Sequence, residues 1–406
     1  MEERTIIIGG GVVGLSIALQ LSEKHIGGEI YLVGKYRIPH DHQQSVANSG
    51  VNHAGIYYSR SSQPLMAELS VRGNFLLHRF CLDYGVRYSD GGKIIVGMGE
   101  QDRPYLEEVI RTATENNVED VCWIGTKEIK EKEPNAHGEF GLWVPSSGVI
   151  DPMHYVTLLR ELVRSKGVEI VENSEVVEIT PKESSVEVSL RSQRTNTEFT
   201  RVINAAGLYA DQIWYNLHPD WDNENPDLPL HITPHRGESA IFYFREGTDL
   251  TIQRNIYPTP YGYDPLTGKI QKIPFDDYRR RLEEGTLRKF VGVHLTPVMD
   301  LDGRISGASI GPLKSIPDDG NKDDFCGVHP VKDFKDAVRE IFPSIDSANV
   351  QLYHAGNMAV LPRNRDWFIQ HDPIHQRIIH LIGISSPGLT ASLAIGEYVS
   401  NVISQL

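Results

Sequence analysis

Residues 5–21 read TIIIGGGVVGLSIALQL. Thr5–Ile8 is a β-branched run suited to a buried strand, Gly9–Gly14 a tight turn, and Val12–Glu23 has the apolar density of a core helix. Glu29–Val33 reads as a second strand, so the first 33 residues predict a parallel β-α-β unit. The stretch carries no charge, yet a buried strand turning into a buried helix is expected here and not an export signal or a membrane span. It starts too early for a basic leader and three consecutive glycines interrupt it. Gly9-x-Gly11-x-x-Gly14 therefore stands after a strand and opens a helix, where backbone N–H groups can approach a pyrophosphate at the positive helix end.

Composition narrows what such a unit serves. The 406 residues include 40 Lys and Arg against 54 Asp and Glu, a net charge of -14. No field over the whole molecule attracts nucleic acid or an acidic membrane, so an anionic substrate needs local cations. Three widely spaced cysteines, Cys81, Cys122 and Cys326, make neither a disulfide framework nor a metal cluster, and no metal site is expected. The expectation is a cytoplasmic protein with no transmembrane segment and no evident transit peptide, with peripheral membrane association left open.

Outward from the glycine turn, the pattern predicts a helix over 64–84 stopped by Gly85, a strand over 92–97, helices over 102–117 and 152–166, and strands over 168–171 and 186–190. From 218 to 327 prolines, glycines and aromatics dominate, with β-like runs at 239–244 and 290–295. The chain ends on a strand over 378–382 and a helix over 390–402. The expected fold is α/β: a discontinuous Rossmann-like dinucleotide domain (1–90, 145–217, 345–406) with an inserted, mainly antiparallel β substrate domain (91–144, 218–344).

The end of the second strand, where a ribose-binding acid belongs, reads Val33-Gly34-Lys35-Tyr36-Arg37. That would suit NADP, but two further segments argue against it. Ala206-Gly207 with Ala210-Asp211 gives a second small-residue crossing, and Ser385-Ser386-Pro387-Gly388-Leu389-Thr390 a third, leading into a helix whose N-terminus can stabilise charge on a reduced flavin.

The string Asn48-Ser49-Gly50-Val51-Asn52-His53-Ala54-Gly55-Ile56-Tyr57-Tyr58 resembles the signature of L-2-hydroxyglutarate oxidases and dehydrogenases, within the D-amino-acid oxidase superfamily of FAD enzymes. The similarity continues through Glu133-Pro134-Asn135, Val144 to Gly148, Asn204 to Asp211, Arg236-Gly237-Glu238, Tyr257-Pro258 and Gly292 to Thr296. It implies FAD, a two-domain fold, and oxidation of a small 2-hydroxy acid to the 2-oxo acid by hydride transfer to flavin. For the cofactor the implied residues are Gly9, Gly11, Gly14, Asn48, Ser49, Gly50, Val176, Ala206, Gly207, Asp211, Gly356, Gly388, Leu389 and Thr390.

Removing hydride from an alcohol carbon requires a base for the hydroxyl proton and cations for the carboxylates. His53 and His294 are the candidate bases, and by resemblance both face the flavin. Lys93, Arg236 and Arg365 are candidate carboxylate partners, while Tyr257 and Thr296 offer hydroxyl contacts. Each also has an ordinary reading as a packed or ion-paired side chain. One departure from the family stands at Gly356-Asn357-Met358, where related flavoenzymes place a substrate-clamping arginine at the position of Met358; Arg363 and Arg365 follow nearby. The Ser386 to Ser392 run also resembles FAD-dependent glycerol-3-phosphate dehydrogenases. That enzyme, an amine or amino-acid oxidase of the same superfamily, and a non-catalytic flavin-binding protein are the alternatives. Oxygen, quinone and another flavoprotein are all open as electron acceptor.

Some relatives attach flavin through a histidine where this chain has Val46-Ala47, so the FAD is expected to be non-covalent. Acid precipitation of the purified protein should release all of its yellow colour to the supernatant. Colour retained in the pellet would show a covalent link.

Overall fold

A computed structural model describes residues 2–404 apart from 193–195, 246, 248 and 363–364. The chain divides into two compact units. Unit 1 is Met1–Val46, Pro152–Pro234 and Met358–Leu406, and unit 2 is Ala47–Asp151 and His235–Asn357. Residues 47–90 thus fall in unit 2.

Unit 1 is built on the strand β1 (Arg4–Ile8), the helix α1 (Val12–Glu23) and the strand β2 (Glu29–Val33). β1 pairs parallel with β2 on one side and with Arg201–Asn204 on the other. The six-stranded sheet continues to Glu169–Val171 beyond β2, and to Ile378–Ile382 and Phe368–His371 beyond Arg201–Asn204. All its pairs are parallel except the last, between Phe368–His371 and Ile378–Ile382. Ile6, Val202 and Ile378 anchor one hydrophobic core of this unit. The C-terminal helix, Gly388–Ser404, packs on α1, where a Cβ on Gly396 would come within 2.6 Å of the Ser16 carbonyl oxygen.

Unit 2 carries the eight-stranded sheet, in the order Gln351–Val360, Thr233–Tyr243, Ile305–Ser315, His294–Met299, Asn255–Pro258, Lys93–Gly97, Phe140–Val144, Cys122–Gly125. Among the recorded pairs only Asn255–Pro258 with Lys93–Gly97 is parallel. Successive side chains alternate between its faces. Ile94, Val96, Ile256, Leu295 and Ile310 build the core on one face, and Ile95, Leu142, Val144 and Tyr257 pack on the other with Ala54, Ile56 and Tyr57. The same alternation puts Lys93, Tyr257, His294 and Thr296 on that second face.

The helix over 64–84 lies at Pro64–Tyr84, with Gly85 in the left-handed region at φ 70° ending it. The run over 290–295 is not one strand. Arg288–Phe290 pairs with Tyr261–Tyr263, and a separate strand starts at His294. Gly292 divides them at φ +88°, its missing Cβ making room for the Pro258 ring.

In unit 1 a Cβ on Gly14 would fall inside the Gly9 carbonyl oxygen, so α1 lies directly on the turn that begins it. Gly14→Ala should cost on the order of 1–3 kcal/mol by overpacking and should lower the FAD content of the purified protein. Gly167→Ala, at a positive φ but with open space around its Cβ position, is the control and should cost about 1 kcal/mol without loss of flavin. Equal flavin retention in both variants would show that the crossing is not needed for binding.

Candidate active site

The glycine turn of unit 1 makes a small polar cradle. Gly9 adopts φ +121° and stands against the carbonyl of Ala205, with Ala206 Cα 3.1 Å from its Cβ position. The first crossing therefore meets the second in space. α1 begins at Gly11 without a side-chain cap of its own and without acidic residues in its first turn. Ser45 Oγ instead accepts the Val12 N–H at 2.8 Å, and Gln43 Nε2 donates to the Gly10 carbonyl at 2.8 Å. Gln44 Oε1 lies 2.9 Å from the Cβ position of Gly207. A helix N-terminus reached over bare glycine backbone suits the pyrophosphate of a dinucleotide, so the residues present fit FAD.

The other cofactor candidates are distributed over both units. Asp211 is buried and turned into its own chain: its carboxylate accepts the Ile232 and Gln212 N–H groups. Val176 starts the strand Val176–Pro181 and packs partly on the sheet core. Gly388, Leu389 and Thr390 form the first turn of the C-terminal helix, with Thr390 buried. Asn48, Ser49, Gly50 and Gly356 belong to unit 2. Asn48 Oδ1 accepts the Gly50 N–H at 2.8 Å, and Gly356 lies so close to the Ala47 carbonyl that no Cβ fits. Lys35 is 3.5 Å from Glu175, a carboxylate contact that does not suit a 2′-phosphate. Glu172 accepts the Ile38 N–H at 3.0 Å and the Arg160 Nε–H at 3.1 Å. These acids reach the loop after β2 from a distant part of the sequence, which no local spacing reveals.

On the site face of the unit 2 sheet, Lys93 is 1% exposed. Its ammonium sits 3.9 Å from the ring centroid of Tyr257 and 5.3 Å from that of Tyr57. Tyr257 stacks on His294 at 3.9 Å and 10°. Burial without a carboxylate brings the Lys93 pKa down to about 7. His53, nearby, is held well below the ordinary histidine range by burial and then by the charges of Lys93 and His294. His294 is brought down to about 3, by burial first, against the opposing effect of its bond to Gly292. Both imidazoles are therefore neutral at pH 7.

The tautomer of His294 follows from its partner. Nδ1 lies 3.0 Å from the Gly292 carbonyl oxygen, which can only accept, so Nδ1 carries the proton and donates. Nε2 then holds the lone pair. Among the described residues that nitrogen is buried without a hydrogen-bond partner, as are the hydroxyls of Tyr57, Tyr257 and Thr296. Unsatisfied buried polar groups on one face mark a place made for a polar ligand. Burial pushes the pKa values of both tyrosines up, so they remain hydroxyl donors.

The structure thus brings together His53, Lys93, Tyr257 and His294, with Thr296 two residues along the same strand face. Tyr57 joins them; it stands next to last in the His-Ala-Gly string, before Tyr58, where an aromatic residue in an apolar run gives no sign of holding a cation. Arg236 is engaged elsewhere in unit 2. It donates to Ser315 Oγ at 2.8 Å and to Asp324 at 2.9 Å, and Glu238 lies at 3.5 Å. Arg365 is half-buried in unit 1, as is Met358, and Arg363 lies outside the described residues.

A two-unit α/β fold with a dinucleotide cradle in one unit and a neutral histidine beside a buried lysine in the other is that of a flavin oxidoreductase. Residues 4–402 match the family described as FAD dependent oxidoreductase (DAO), and the chain belongs to that family. Its cofactor is FAD. The chain is 27% identical to an L-2-hydroxyglutarate dehydrogenase of Escherichia coli (strain K12), over 99% of this chain and 93% of that protein. It is 30% identical to a mitochondrial L-2-hydroxyglutarate dehydrogenase of Bos taurus over 73% of this chain and 58% of that one. Among solved structures, the L-alpha-glycerophosphate oxidase of Mycoplasma pneumoniae with FAD bound has a TM-score of 0.78 at 24% identity, covering 100% of this chain and 95% of the other, and shares its fold.

The Lys93 pKa has a consequence for stability. Between the ordinary value of 10.5 and the folded value of about 7, the unfolded chain keeps a proton that the folded chain releases. Stability therefore rises with pH across that window and is lowest, from this group, at pH 7 and below. Lys93→Met removes the penalty. Its stability advantage over the wild type should grow as pH falls from 10 to 7, to the order of a few kcal/mol, and then level off. Chemical denaturation at several pH values measures it, and parallel curves would contradict it.

Proposed function

We propose that the protein oxidises a small 2-hydroxy acid of the L-2-hydroxyglutarate type to the corresponding 2-oxo acid. The single observation that carries the mechanism is the His294 tautomer: a histidine locked by Gly292 with its free lone pair on Nε2 among unsatisfied hydroxyls. The names of the curated relatives support the hydroxy acid as substrate. FAD, when bound, supplies a ring that accepts hydride from the 2-carbon.

The chain's own residues do the rest. Lys93 meets the carboxylate next to the reacting carbon, and that anion restores the full charge of its ammonium. Tyr257 and Thr296 offer hydroxyl hydrogen bonds that orient the substrate. His294 Nε2 takes the proton of the 2-hydroxyl as the carbon–oxygen bond gains double-bond character, and His53 supports the same pocket as a second neutral imidazole. An alcohol becomes far more acidic as hydride leaves its carbon, so a base of low resting pKa still serves, and the anionic substrate raises that pKa as it binds. The cradle of Gly9, Gly11, Gly14, Ala206 and Gly207 holds the dinucleotide, with Gly388, Leu389 and Thr390 at the N-terminus of the last helix.

The test is anaerobic bleaching of the bound flavin by L-2-hydroxyglutarate. His294→Ala should slow flavin reduction by roughly 10²-fold or more with FAD still bound. A rise in KM at unchanged kcat would make His294 a binding group. Failure of every 2-hydroxy acid to bleach the wild type would remove the proposal and favour glycerol 3-phosphate or an amine substrate.

A further inference from the structure

The parallel sheet of unit 1 carries a buried polar chain behind the second small-residue crossing. Asn204 ends the strand Arg201–Asn204 and pairs in register with Ile8 on one side and His380 on the other. Asn204 and His380 are fully buried, and Asp372, just after Phe368–His371, is buried with them. His380 Nε2 lies 3.1 Å from Asp372 Oδ2, and His380 Nδ1 lies 3.0 Å from Asn204 Nδ2. Asn204 Nδ2 also donates to the Ala210 carbonyl at 2.8 Å, and Asn204 Oδ1 accepts the Ala206 N–H at 3.3 Å. One amide therefore ties both ends of the turn 206–210. Ala206 is the residue whose Cα stands 3.1 Å from the Cβ position of Gly9, so the chain of contacts runs from Asp372 to the backbone of the cofactor cradle.

The direction of these bonds is fixed at both ends. The Ala210 carbonyl can only accept and the Ala206 N–H can only donate, so the Asn204 amide has one orientation, with its NH2 toward Ala210 and His380. His380 Nδ1 consequently accepts, and Nε2 carries the proton and donates to the Asp372 carboxylate. Asp372 Oδ2 also accepts from His218 Nε2 at 2.6 Å, and Oδ1 accepts the Ile374 and His375 N–H groups. A proton added to His380 must go on Nδ1, where it would meet the amide N–H of Asn204 head on. Relief requires turning that amide over, which gives up the Ala206 and Ala210 bonds together. The titratable groups acting on His380 are Asp372, His218 and His375. Trp214 packs edge-on to its ring at 4.9 Å, and Gln370, opposite it on Phe368–His371, is uncharged. Burial comes first in holding the His380 pKa below 6.5; Asp372 opposes that, and His218 and His375 add to it.

We propose that His380 is a positioning residue for FAD: with Asp372 behind it, it sets the Asn204 amide that holds the turn 206–210 against Gly9, and protonation of His380 lets the cofactor go. This rests on the reading of Ala206 and Gly207 as part of the FAD cradle. The sign follows from the lowered pKa. As pH falls below 6.5 the unfolded chain takes up a proton that the folded chain resists, so stability from this group is present above 6.5 and is lost as pH falls toward the folded value. Cofactor held on the neutral arrangement opposes the same proton, and FAD is therefore bound more weakly in acid. The relay escapes a reading of the sequence because Asn204 stands in the first half of unit 1 while Asp372 and His380 come from its last strands, some 170 residues on.

The test follows release of FAD from the diluted holoenzyme, read by the rise of flavin fluorescence, between pH 8 and pH 5. The wild type should release FAD about tenfold faster at the acid end, the size of one lost buried hydrogen bond. His380→Gln, whose amide offers one acceptor and one donor but does not titrate, should keep the slow release and lose most of its pH dependence. His380→Leu should release FAD about tenfold faster already at pH 8. A side chain that merely fills the core would change the melting temperature and leave the pH profile of release as in the wild type. A wild-type slope persisting in His380→Gln, or wild-type release by His380→Leu at pH 8, would overturn the proposal; the Gln variant decides it if the Leu variant does not fold. Gly207→Val separates the proposal from the reading it rests on. Fast release there, with the wild-type profile in both His380 variants, removes the relay and leaves the cradle; the wild-type profile in all three removes the cradle reading as well.

Discussion

Main chain pressed against main chain holds unit 1 in the form a dinucleotide needs. Gly9 meets the Ala205 carbonyl, Gly14 meets the Gly9 carbonyl, and Gly396 brings the last helix onto Ser16 of α1. Each contact excludes a Cβ. Together they tie the first strand, the first helix, the strand Arg201–Asn204 and the C-terminal helix into one body from segments far apart in the chain. The same close approach leaves the N-terminus of α1 covered by little more than glycine backbone, Ser45 and Gln43. A packing requirement and a phosphate site are thus one feature, because only residues without bulk satisfy either.

Unit 2 is governed by a different constraint, the cost of taking positive charge out of water. Lys93 gives up much of its proton affinity for a place between two tyrosine rings, and Lys314 does the same beside Arg288. Cation–π contact offsets part of that cost at Lys93. A protein selected for stability alone would place an apolar side chain at the position of Lys93, since replacing poorly compensated buried charge is commonly stabilising. Retaining such a lysine on the sheet face that carries unsatisfied hydroxyls and a histidine lone pair is intelligible as preparation for an anion.

What the sequence made legible follows from how local each signal is. The β-α-β unit, the helix Pro64–Tyr84 and the His53, Lys93, Tyr257, His294, Thr296 group were accessible, because glycine turns, apolar periodicity and a specific string of residues are written in short windows. The interruption at Gly292 was not, since it depends on Pro258 from a neighbouring strand. Nor was the fate of Arg236: its commitment to Asp324 and Ser315 is a tertiary fact about residues about 80 positions away. Glu172 and Glu175 near the loop after β2 belong to the same class. Spacing along a chain predicts which residues share a helix or strand face, but register and bulges decide which strands share a site.

In the proposed reaction His294 and the two lysines that add to burial in lowering its pKa, Lys93 and Lys314, would also order the events at the site. In the free protein each cation lowers the basicity of His294, so its lone pair stays unprotonated and available. In the proposed reaction a substrate carboxylate at Lys93 would cancel one of those charges. His294 would therefore become a stronger base as the substrate filled the site. On that reading the proton acceptor would gain strength only in the complex where a hydroxyl proton is to be taken, while solvent protons would meet a weak base in the empty site. Binding energy from the substrate carboxylate would be converted in this way into basicity at His294 Nε2, which is the direction in which binding aids a chemical step.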